Sequence, residues 1–482
     1  MELAHFYRRH NQWIIPLGLC IGALILFFFR LGMPTLEPWD EAWYGAVAQT
    51  IVKSNNWVYL KWQGEPFLDH PPMGMWLMAL SYTLFGVTEF STRLPSAIAG
   101  VFTVLLMYLS ALHLYQKKSI GVVASIILTT SVWYLLRVRS GNLDALLVFF
   151  FIGTFYSALR SKDEKKWFPI SMMFFGCLMM TKTLIGAAMV PVLIFLNWQN
   201  IVNPKRWNAL IFGIILFVII VFPWYQAQFM LYPNFAEHHF KTIGMRNQSL
   251  FSYFVIHPKL PLYYLHMGVR KWYYLWIVAG LYSFLSLRWK SIKTASVFVW
   301  LICMIFPFLG SSKTELWHLI PVYLPLSLIT SSGIYYFGND VRKYVVSMLK
   351  RGAKTVTPFL SQSIYTFIYM CAFLTIGIMQ FYILYPEVFP QYHYVSDSVD
   401  VGKNAKIHSR GKLYLNESFL PVIAFYSGKD TYSAGDIVDF WKSPQSINTS
   451  VIVGTWGIQR LKNEKLQSKT LYHNNSYYII TH

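Results

Sequence analysis

The chain has 482 residues, of which 55% are hydrophobic and 18% are aromatic, and its mean hydropathy is +0.40. This composition predicts a polytopic membrane protein that carries some soluble mass. The formal net charge of +20 does not indicate nucleic-acid binding, because the basic clusters fall between apolar runs. All four cysteines lie inside apolar runs, so we expect buried thiols and no disulfide framework: Cys20, Cys177, Cys303 and Cys371.

The apolar runs predict eleven membrane-spanning helices. A further run, Met73–Phe85, is too short to cross a bilayer comfortably, and we expect it to lie at the interface. The predicted spans are Trp13–Phe29, Leu94–Tyr115, Ile120–Leu136, Leu143–Leu159, Trp167–Thr181, Leu184–Trp198, Trp207–Phe229, Tyr273–Leu287, Ala295–Gly310, Leu319–Phe337 and Tyr365–Tyr385.

The charge distribution predicts the topology. With eleven spans and the N-terminus inside, the inner segments carry 18 basic residues against four acidic ones, as the positive-inside rule requires. The segment from Pro386 then lies outside, so residues 1–385 form the membrane domain and residues 386–482 a small α/β domain. In that domain we expect strands at Lys412–Leu415, Thr431–Ser433, Val451–Val453 and Ser476–Ile480, with helices at Phe419–Tyr426 and Gly435–Trp441.

The first predicted outer loop, Glu37–Trp76, concentrates acidic residues beside a membrane span. It contains the adjacent pair Asp40 and Glu41, and Asp69 precedes His70 and two prolines. Charge beside a span has a desolvation cost, which partners or a function must offset. The pattern around Trp39 predicts a short amphipathic helix, which would hold these carboxylates at the membrane surface.

Basic residues recur at the predicted outer ends of later spans. Arg137 and Arg139 precede Asp144, so two interpretations stay open: an arginine–aspartate pair that ties two helix ends, or an arginine that grips a phosphate. Lys182 is either a snorkelling lysine or a second phosphate ligand. Lys313 and His318 precede the tenth span.

Histidines in the loop from Met230 to Trp272 raise the question of a metal. A fragment with two adjacent histidines is weak evidence, because neighbouring side chains point to different helix faces. We expect no required cofactor and leave a divalent metal open, since no clear motif supports one. The histidines of this loop are His238, His239, His257 and His266.

Five motifs in chain order give a more specific indication. They are the D-E pair of the first outer loop, F-L-D-H-P-P-M-G-M-W, L-F-G-V-T-E-F-S-T-R-L-P-S-A, R-x-x-x-x-D at 139–144, and S-K-T-E-L-W-H-L-I-P. Over about residues 10 to 340 the chain resembles the dolichyl-phosphate-mannose protein mannosyltransferase superfamily. That superfamily includes bacterial glycosyltransferase families 39 and 83, the latter with the lipid A aminoarabinose transferase.

The resemblance implies the GT-C fold, a polytopic α-helical architecture with interfacial helices in the first outer loop, and a polyprenyl-phosphate-linked sugar as donor. It implies that Asp40, with its neighbour Glu41, is the catalytic acidic residue. It implies further that Arg139 and Asp144 form the R-x-x-x-x-D pair, that Lys313 is the basic residue before a late span, and that Asp69 and His70 fill a variable position pair. We expect Arg139 and Lys313 to stabilise the leaving donor phosphate, with Lys182 and Arg137 as further phosphate ligands. The residues expected to bind substrate or support the site are Asp69, His70, Asp144 and His318.

The leading hypothesis is a glycosyltransferase of the bacterial inner membrane with a periplasmic C-terminal domain. Its partners would be the polyprenyl-phosphate-sugar donor, membrane lipids, and lipid A or another envelope glycolipid as acceptor, with no nucleic acid. Asp40 would accept a proton from an acceptor hydroxyl. One alternative is a protein O-mannosyltransferase that acts on Ser/Thr of secreted proteins; another is a flippase or transporter of lipid-linked sugars, although no inverted repeat is visible.

Overall fold

The computed structural model describes residues 2–245, 255, 257–286, 290–311, 314–352, 361–389, 395–416 and 420–482. Helices form most of the first 389 residues, because long apolar runs bury their backbone polar groups within each helix. In chain order these helices are α1 Glu2–Phe28, α2 Asp40–Ser54, α3 Met73–Phe85, α4 Glu89–Tyr115, α5 Lys118–Thr129, α6 Val132–Val138, α7 Asp144–Ser161, α8 Trp167–Met179, α9 Thr183–Gly186, α10 Val190–Val202, α11 Trp207–Leu231, α12 Lys259–Val269, α13 Trp272–Leu285, α14 Ile292–Leu309, α15 Tyr323–Gly352 and α16 Gln362–Val388.

Seven helical segments among the described residues are long and apolar enough to cross a membrane, and they coincide with seven predicted spans. They are Glu89–Tyr115, Asp144–Ser161, Leu184–Val202, Pro204–Leu231, Ile292–Leu309, Leu316–Met348 and Gln362–Val388. Three other predicted spans correspond to shorter apolar helices, Trp13–Phe28, Trp167–Met179 and Trp272–Leu285. The run Met73–Phe85 is also a short helix, as its length predicts. The total of eleven spans stays a prediction.

One predicted span differs from a straight helix. The run Ile120–Leu136 forms α5 and α6, which bend by 75° at a short break. At the break, the Thr130 hydroxyl donates to the Ile126 carbonyl at 2.6 Å and the Ser131 hydroxyl donates to the Ile127 carbonyl. Hydroxyls that bind the carbonyl four residues back bend helices, and a hydropathy pattern does not reveal this.

The chain divides into two compact units, which we name the helical unit and the mixed unit. The helical unit comprises Met1–Phe29, Ser96–Arg139 and Leu143–Phe389. The mixed unit comprises Arg30–Pro95, Ser140–Asn142 and Pro390–His482. The first predicted outer loop therefore packs within the same unit as the C-terminal segment, a grouping that the sequence did not indicate. The domain boundary between residues 385 and 386 stays a prediction.

The mixed unit contains a hairpin and a five-stranded sheet. Strands β1 (Lys61–Trp62) and β2 (Glu65–Pro66) pair antiparallel around Gln63 and Gly64, whose φ angles of 51° and 83° suit a tight hairpin turn. The remaining elements are α17 Asp397–His408, β3 Leu413–Leu415, α18 Pro421–Ser427, β4 Thr431–Ser433, α19 Ile437–Lys442, β5 Ser450–Gly454, α20 Thr455–Asn463, β6 Lys469–His473 and β7 Tyr477–Thr481.

The order of strands in this sheet is β4-β3-β5-β7-β6. The pairs β3–β4 and β3–β5 are parallel, whereas β5–β7 and β6–β7 are antiparallel. All four predicted strands and both predicted helices of this segment are present; Thr431–Ser433 has the predicted bounds, and the ends of the others are shifted by one or two residues. The sequence missed α17, α20 and the edge strand β6. The prediction for the first helix included Phe419, which lies outside the described residues.

All four cysteines are free, as expected, but they are not buried in the protein. Cys20, Cys177 and Cys303 are partly exposed and Cys371 is exposed. The prediction of buried thiols is therefore wrong, since a spanning helix can turn apolar side chains outward as well as towards other helices.

Candidate functional site

Helix α2 begins with the two adjacent carboxylates of the mixed unit. Asp40 and Glu41 occupy its first turn, where the helix dipole favours negative charge. Their surroundings differ sharply: Asp40 is half-buried, whereas Glu41 is 1% exposed. Successive side chains on a helix point about 100° apart, so neighbouring residues can face different surroundings. This difference distinguishes the two acids as candidates for a role in the site.

Glu41 forms a buried bidentate ion pair with Arg93 of α4. The Arg93 Nε donates to Oε1 at 2.7 Å and Nη2 donates to Oε2 at 2.9 Å. Two backbone amides complete the shell, since Gly141 N donates to Oε1 at 2.7 Å and Glu37 N donates to Oε2 at 2.8 Å. Burial acts to raise the pKa of Glu41, but the charge and hydrogen bonds of Arg93 and the two amides hold that pKa below its usual value. These contacts favour a structural role for Glu41 rather than the catalytic role that the resemblance implied for Asp40 with Glu41 as its neighbour.

Arg93 is the supporting residue that the sequence analysis missed. Besides Glu41, its guanidinium donates to the carbonyls of Leu31, Pro34 and Thr35 at 2.8–3.0 Å. It thereby fixes the segment that leads into α2 from the end of α1. The signal was present in the motif T-R-L-P, where a charged residue stands at the start of an apolar run.

His70 packs beside the first two turns of α2. Its ring centroid lies 5.7 Å from that of Tyr44 and 6.5 Å from that of Phe67. Tyr44 follows Asp40 by four residues, so both lie on one face of the helix. Both His70 and Asp69 are half-buried. The structure thus brings His70 to the face of α2 that carries Asp40, and Glu41 points instead towards Arg93.

The helical unit contains a second charged group, built on Asp144 at the start of α7. Lys182 Nζ lies 2.6 Å from Oδ1 of Asp144, and Arg137 Nε lies 3.6 Å from Oδ2. The Arg137 guanidinium also stacks over the rings of Trp317 at 4.7 Å and Trp133 at 5.7 Å. Two cations therefore share one buried carboxylate, and this excess of positive charge could bind an anion.

These contacts correct one detail of the sequence analysis. The arginine that pairs with Asp144 is Arg137, not Arg139 of the R-x-x-x-x-D motif. Arg139 instead donates to the carbonyls of Leu26, Phe27 and Phe29 at 2.9–3.0 Å, and its guanidinium lies over the Phe389 ring. It caps the C-terminal end of α1, where the last carbonyls lack partners within the helix. This contact pattern favours a structural role for Arg139.

The remaining site residues have different outcomes. Lys313 lies outside the described residues. His318 accepts a hydrogen bond at Nδ1 from the Glu315 amide at 3.0 Å and lies close enough to Asp144 to interact electrostatically. In the histidine-rich loop, His239 stacks on Phe235 at 4.8 Å and is buried among aromatic rings. No group of three metal-binding side chains occurs among the described residues.

Comparison with solved structures identifies the class of fold. The fold is the GT-C fold, because the chain superimposes on the crystal structure of ArnT from Cupriavidus metallidurans bound to undecaprenyl phosphate with a TM-score of 0.70. That match has 16% sequence identity and covers 96% of this chain and 97% of the other. The Archaeoglobus fulgidus oligosaccharyltransferase in the apo form matches with a TM-score of 0.56 at 11% identity, over 91% of this chain and 69% of the other.

Comparison of the sequence with a family model and with curated relatives shows which proteins the chain resembles. The family model for dolichyl-phosphate-mannose-protein mannosyltransferase matches residues 69–225. The undecaprenyl phosphate-alpha-4-amino-4-deoxy-L-arabinose arabinosyl transferase of Shewanella sediminis is 25% identical over 64% of this chain and 58% of its own length. The Pseudomonas savastanoi pv. phaseolicola protein of the same name is 24% identical, over 69% of this chain and 63% of its own length.

The matched segments therefore span less than two thirds of these relatives. The resemblance to the superfamily that the motifs indicated is confirmed, and the chain is a multi-pass membrane protein.

Proposed function

We propose that the protein is a glycosyltransferase that moves a sugar from a polyprenyl-phosphate carrier to lipid A or another envelope glycolipid. The reaction would take place on the periplasmic side of the bacterial inner membrane, with the C-terminal domain also on that side. The names of the relatives and the undecaprenyl phosphate bound to the structural neighbour support this donor class.

The proposal rests on the different surroundings of Asp40 and Glu41 at the start of α2. Arg93 neutralises the buried Glu41, whereas the half-buried Asp40 begins the same helix outside that ion pair. A catalytic base needs contact with substrate and a charge that a buried arginine has not already neutralised. Asp40 is partly exposed and lies outside the buried Glu41–Arg93 pair, so we assign it the proton of an acceptor hydroxyl.

The donor phosphate would be bound by cations of the helical unit. The single negative charge of Asp144 faces the two positive charges of Arg137 and Lys182. A phosphate oxygen would supply the second negative charge. A guanidinium and an ammonium that bind the phosphate more tightly as it leaves lower the barrier to transfer. Arg139 contributes indirectly, by holding the end of α1.

Replacement of the base tests the proposal. Asp40→Asn keeps the shape of the side chain and removes its basicity, so turnover with a hydroxyl acceptor should fall by about 10²- to 10⁴-fold. The measurement is sugar transfer by purified protein in detergent, with the melting temperature recorded beside it. Unchanged turnover of Asp40→Asn would exclude Asp40 as the base. A smaller effect with a phosphate acceptor is expected, since an ionised phosphate needs no base.

Secreted proteins are the second class of acceptor that the comparisons support. The family model that matches residues 69–225 bears the name of protein mannosyltransferases, which favours Ser/Thr of secreted proteins as the alternative. Parallel assays with a glycolipid and with a Ser/Thr-rich peptide distinguish the two acceptors. Movement of the lipid-linked donor across the bilayer without transfer to either acceptor would indicate a flippase.

A further inference from the structure

A basic cavity lies in the mixed unit, apart from the start of α2. It has a volume of about 410 Å³ and is lined by three lysines and one aspartate: Lys53, Lys412, Lys429 and Asp430. The ring of Tyr432 and two glycines, Gly411 and Gly428, complete the lining. A volume of this size accommodates a phosphorylated sugar.

The charges of the cavity are not balanced. Lys53 pairs with Asp430 at 3.0 Å, which accounts for one cation and the carboxylate. Lys429 Nζ donates to the carbonyl and the hydroxyl of Ser409 at 2.8 and 2.7 Å, and Lys412 Nζ lies 5.5 Å from the centre of the Tyr432 ring. Among the described residues, neither Lys412 nor Lys429 has a carboxylate within ion-pair distance. The cavity therefore offers two positive charges to a ligand.

Backbone conformation and hydrogen bonds shape the lining of this cavity. Gly428 ends α18 with a φ of 58°, a conformation that residues with a side chain rarely adopt, and a methyl group there would point into open space. The hairpin turn lies close to the Tyr432 ring, since a Cβ added at Gly64 would be 3.0 Å from it. Ser409 fixes the ammonium of Lys429 from behind. Lys429 is thus held in position before a ligand binds, and Lys412 lies against the Tyr432 ring.

We propose that this cavity binds a phosphate monoester of the acceptor glycolipid. Two lysines bind phosphate as point charges, and the tyrosine ring offers an apolar face to a sugar. Lys53 follows Asp40 by thirteen residues on the same helix, so the cavity lies about 20 Å along α2 from the assigned base. The bound phosphate therefore belongs to a part of the headgroup distant from the reacting atom. The inference rests on the proposed function and specifies its acceptor as a glycolipid with more than one anionic group.

The first experiment measures transfer with matched acceptors. The acceptors are a bisphosphorylated glucosamine disaccharide lipid and its two monophosphoryl forms, and the variants are Lys412→Ala and Lys429→Ala. We expect each variant to raise the KM for the bisphosphorylated lipid about tenfold, as loss of one charge-assisted contact predicts. The wild type should prefer the bisphosphorylated lipid to one of the monophosphoryl forms, and the two lysine variants should lose this preference. Lys442→Ala is the control, because Lys442 pairs with Glu464 in the same domain and does not line the cavity.

The second experiment does not depend on catalysis. The full-length protein in detergent is titrated calorimetrically with the deacylated bisphosphoryl disaccharide. We expect the Lys412→Ala/Lys429→Ala double variant to bind at least about tenfold more weakly than the wild type and than Lys442→Ala. Equal binding by the double variant, or no binding by a folded wild type, would overturn the inference.

The same proteins distinguish the source of the phosphate. Nanodiscs that contain phosphatidylglycerol present a phosphodiester headgroup instead of a monoester. Lysine-dependent binding to these nanodiscs together with no binding to the disaccharide would assign the cavity to membrane lipid and overturn the acceptor role. If no donor turns over but the disaccharide binds through Lys412 and Lys429, the proposed reaction fails while the phosphate site stands.

Discussion

At the scale of single residues, Asp40 and Glu41 show what a sequence can and cannot resolve. The sequence identified both carboxylates as candidates, because acids beside a membrane span need a reason. The resemblance implied that Asp40 is the base, but the sequence could not show what holds Glu41, since that depends on the direction from which Arg93 and the Gly141 amide approach. Those residues lie 52 and 100 positions away along the chain. Tertiary contacts of this range leave no local pattern in the sequence.

Glu41→Gln should destabilise the fold rather than only slow the reaction. The change leaves the guanidinium of Arg93 buried without its counter-charge, and removal of one partner of a buried pair costs about 3–5 kcal/mol. The melting temperature of the purified variant checks this, with Asp40→Asn as the matched control at the adjacent position. Equal melting temperatures for the wild type and Glu41→Gln would contradict a structural role.

The pH dependence of stability should report the same ion pair. Because the folded-state pKa of Glu41 is lower than that of an unfolded glutamate, about 4.3, the pair stabilises the fold above that pH. The contribution is lost as the pH falls through the folded-state pKa. Melting temperatures recorded from neutral pH downward should therefore fall more steeply for the wild type than for Glu41→Gln. Parallel curves for the two proteins would show that Glu41 does not titrate in this way.

The ion pairs of Asp144 with Arg137 and Lys182 allow a test by rescue of stability. Asp144→Asn leaves two cations without a carboxylate and should lower the melting temperature. A second change, Lys182→Gln, should restore more stability than Arg137→Gln, because the lysine is 2.6 Å from Asp144 and the arginine is 3.6 Å away and retains its aromatic contacts. Melting of the two double variants tests this order. Rescue by Arg137→Gln alone would reverse the assignment of the main pair.

At the scale of elements, the sequence predicted those whose own pattern determines them. Buried strands such as β5 carry continuous apolar residues and were found, as were the long apolar helices. The missed elements lack such patterns: β6 is an exposed edge strand, and α20 has a low proportion of apolar residues. The break between α5 and α6 was missed because hydroxyl–carbonyl bonds, not a proline or glycine, accompany the bend.

The contact of α2 with α18 gives a prediction at this scale. Gly45 lies against the Phe425 ring, and a Cβ added there would meet it at 3.1 Å, with the Tyr82 hydroxyl equally close. Gly45→Val should overpack this contact and cost about 1–3 kcal/mol. Phe425→Ala in the same chain should recover part of the loss by making space. Thermal unfolding of the single and double variants measures this coupling, and strictly additive losses would show that the two side chains do not meet.

At the scale of the whole molecule, the charge pattern predicts the topology that the proposed function requires. Placement of the basic clusters inside puts residues 386–482 outside. An alkaline phosphatase fused after His482, active only outside the cytoplasm, should therefore be active, and a fluorescent protein that matures only in the cytoplasm should be dark. The reverse result would place the C-terminal domain inside and exclude a periplasmic reaction.

The mixed unit joins segments from both ends of the sequence, and this affects how the protein folds during synthesis. The Tyr426 hydroxyl accepts a hydrogen bond from the Leu36 amide, 390 residues earlier, and donates to Glu89, while Gln49 donates to the Phe425 carbonyl. At a synthesis rate of about 5–20 residues per second, α2 emerges about 20–80 s before α18 exists. During that interval its surface has no cover from the C-terminal helix. A nascent chain arrested before residue 420 should therefore leave the first outer loop open to protease, and only completed chains would be protected.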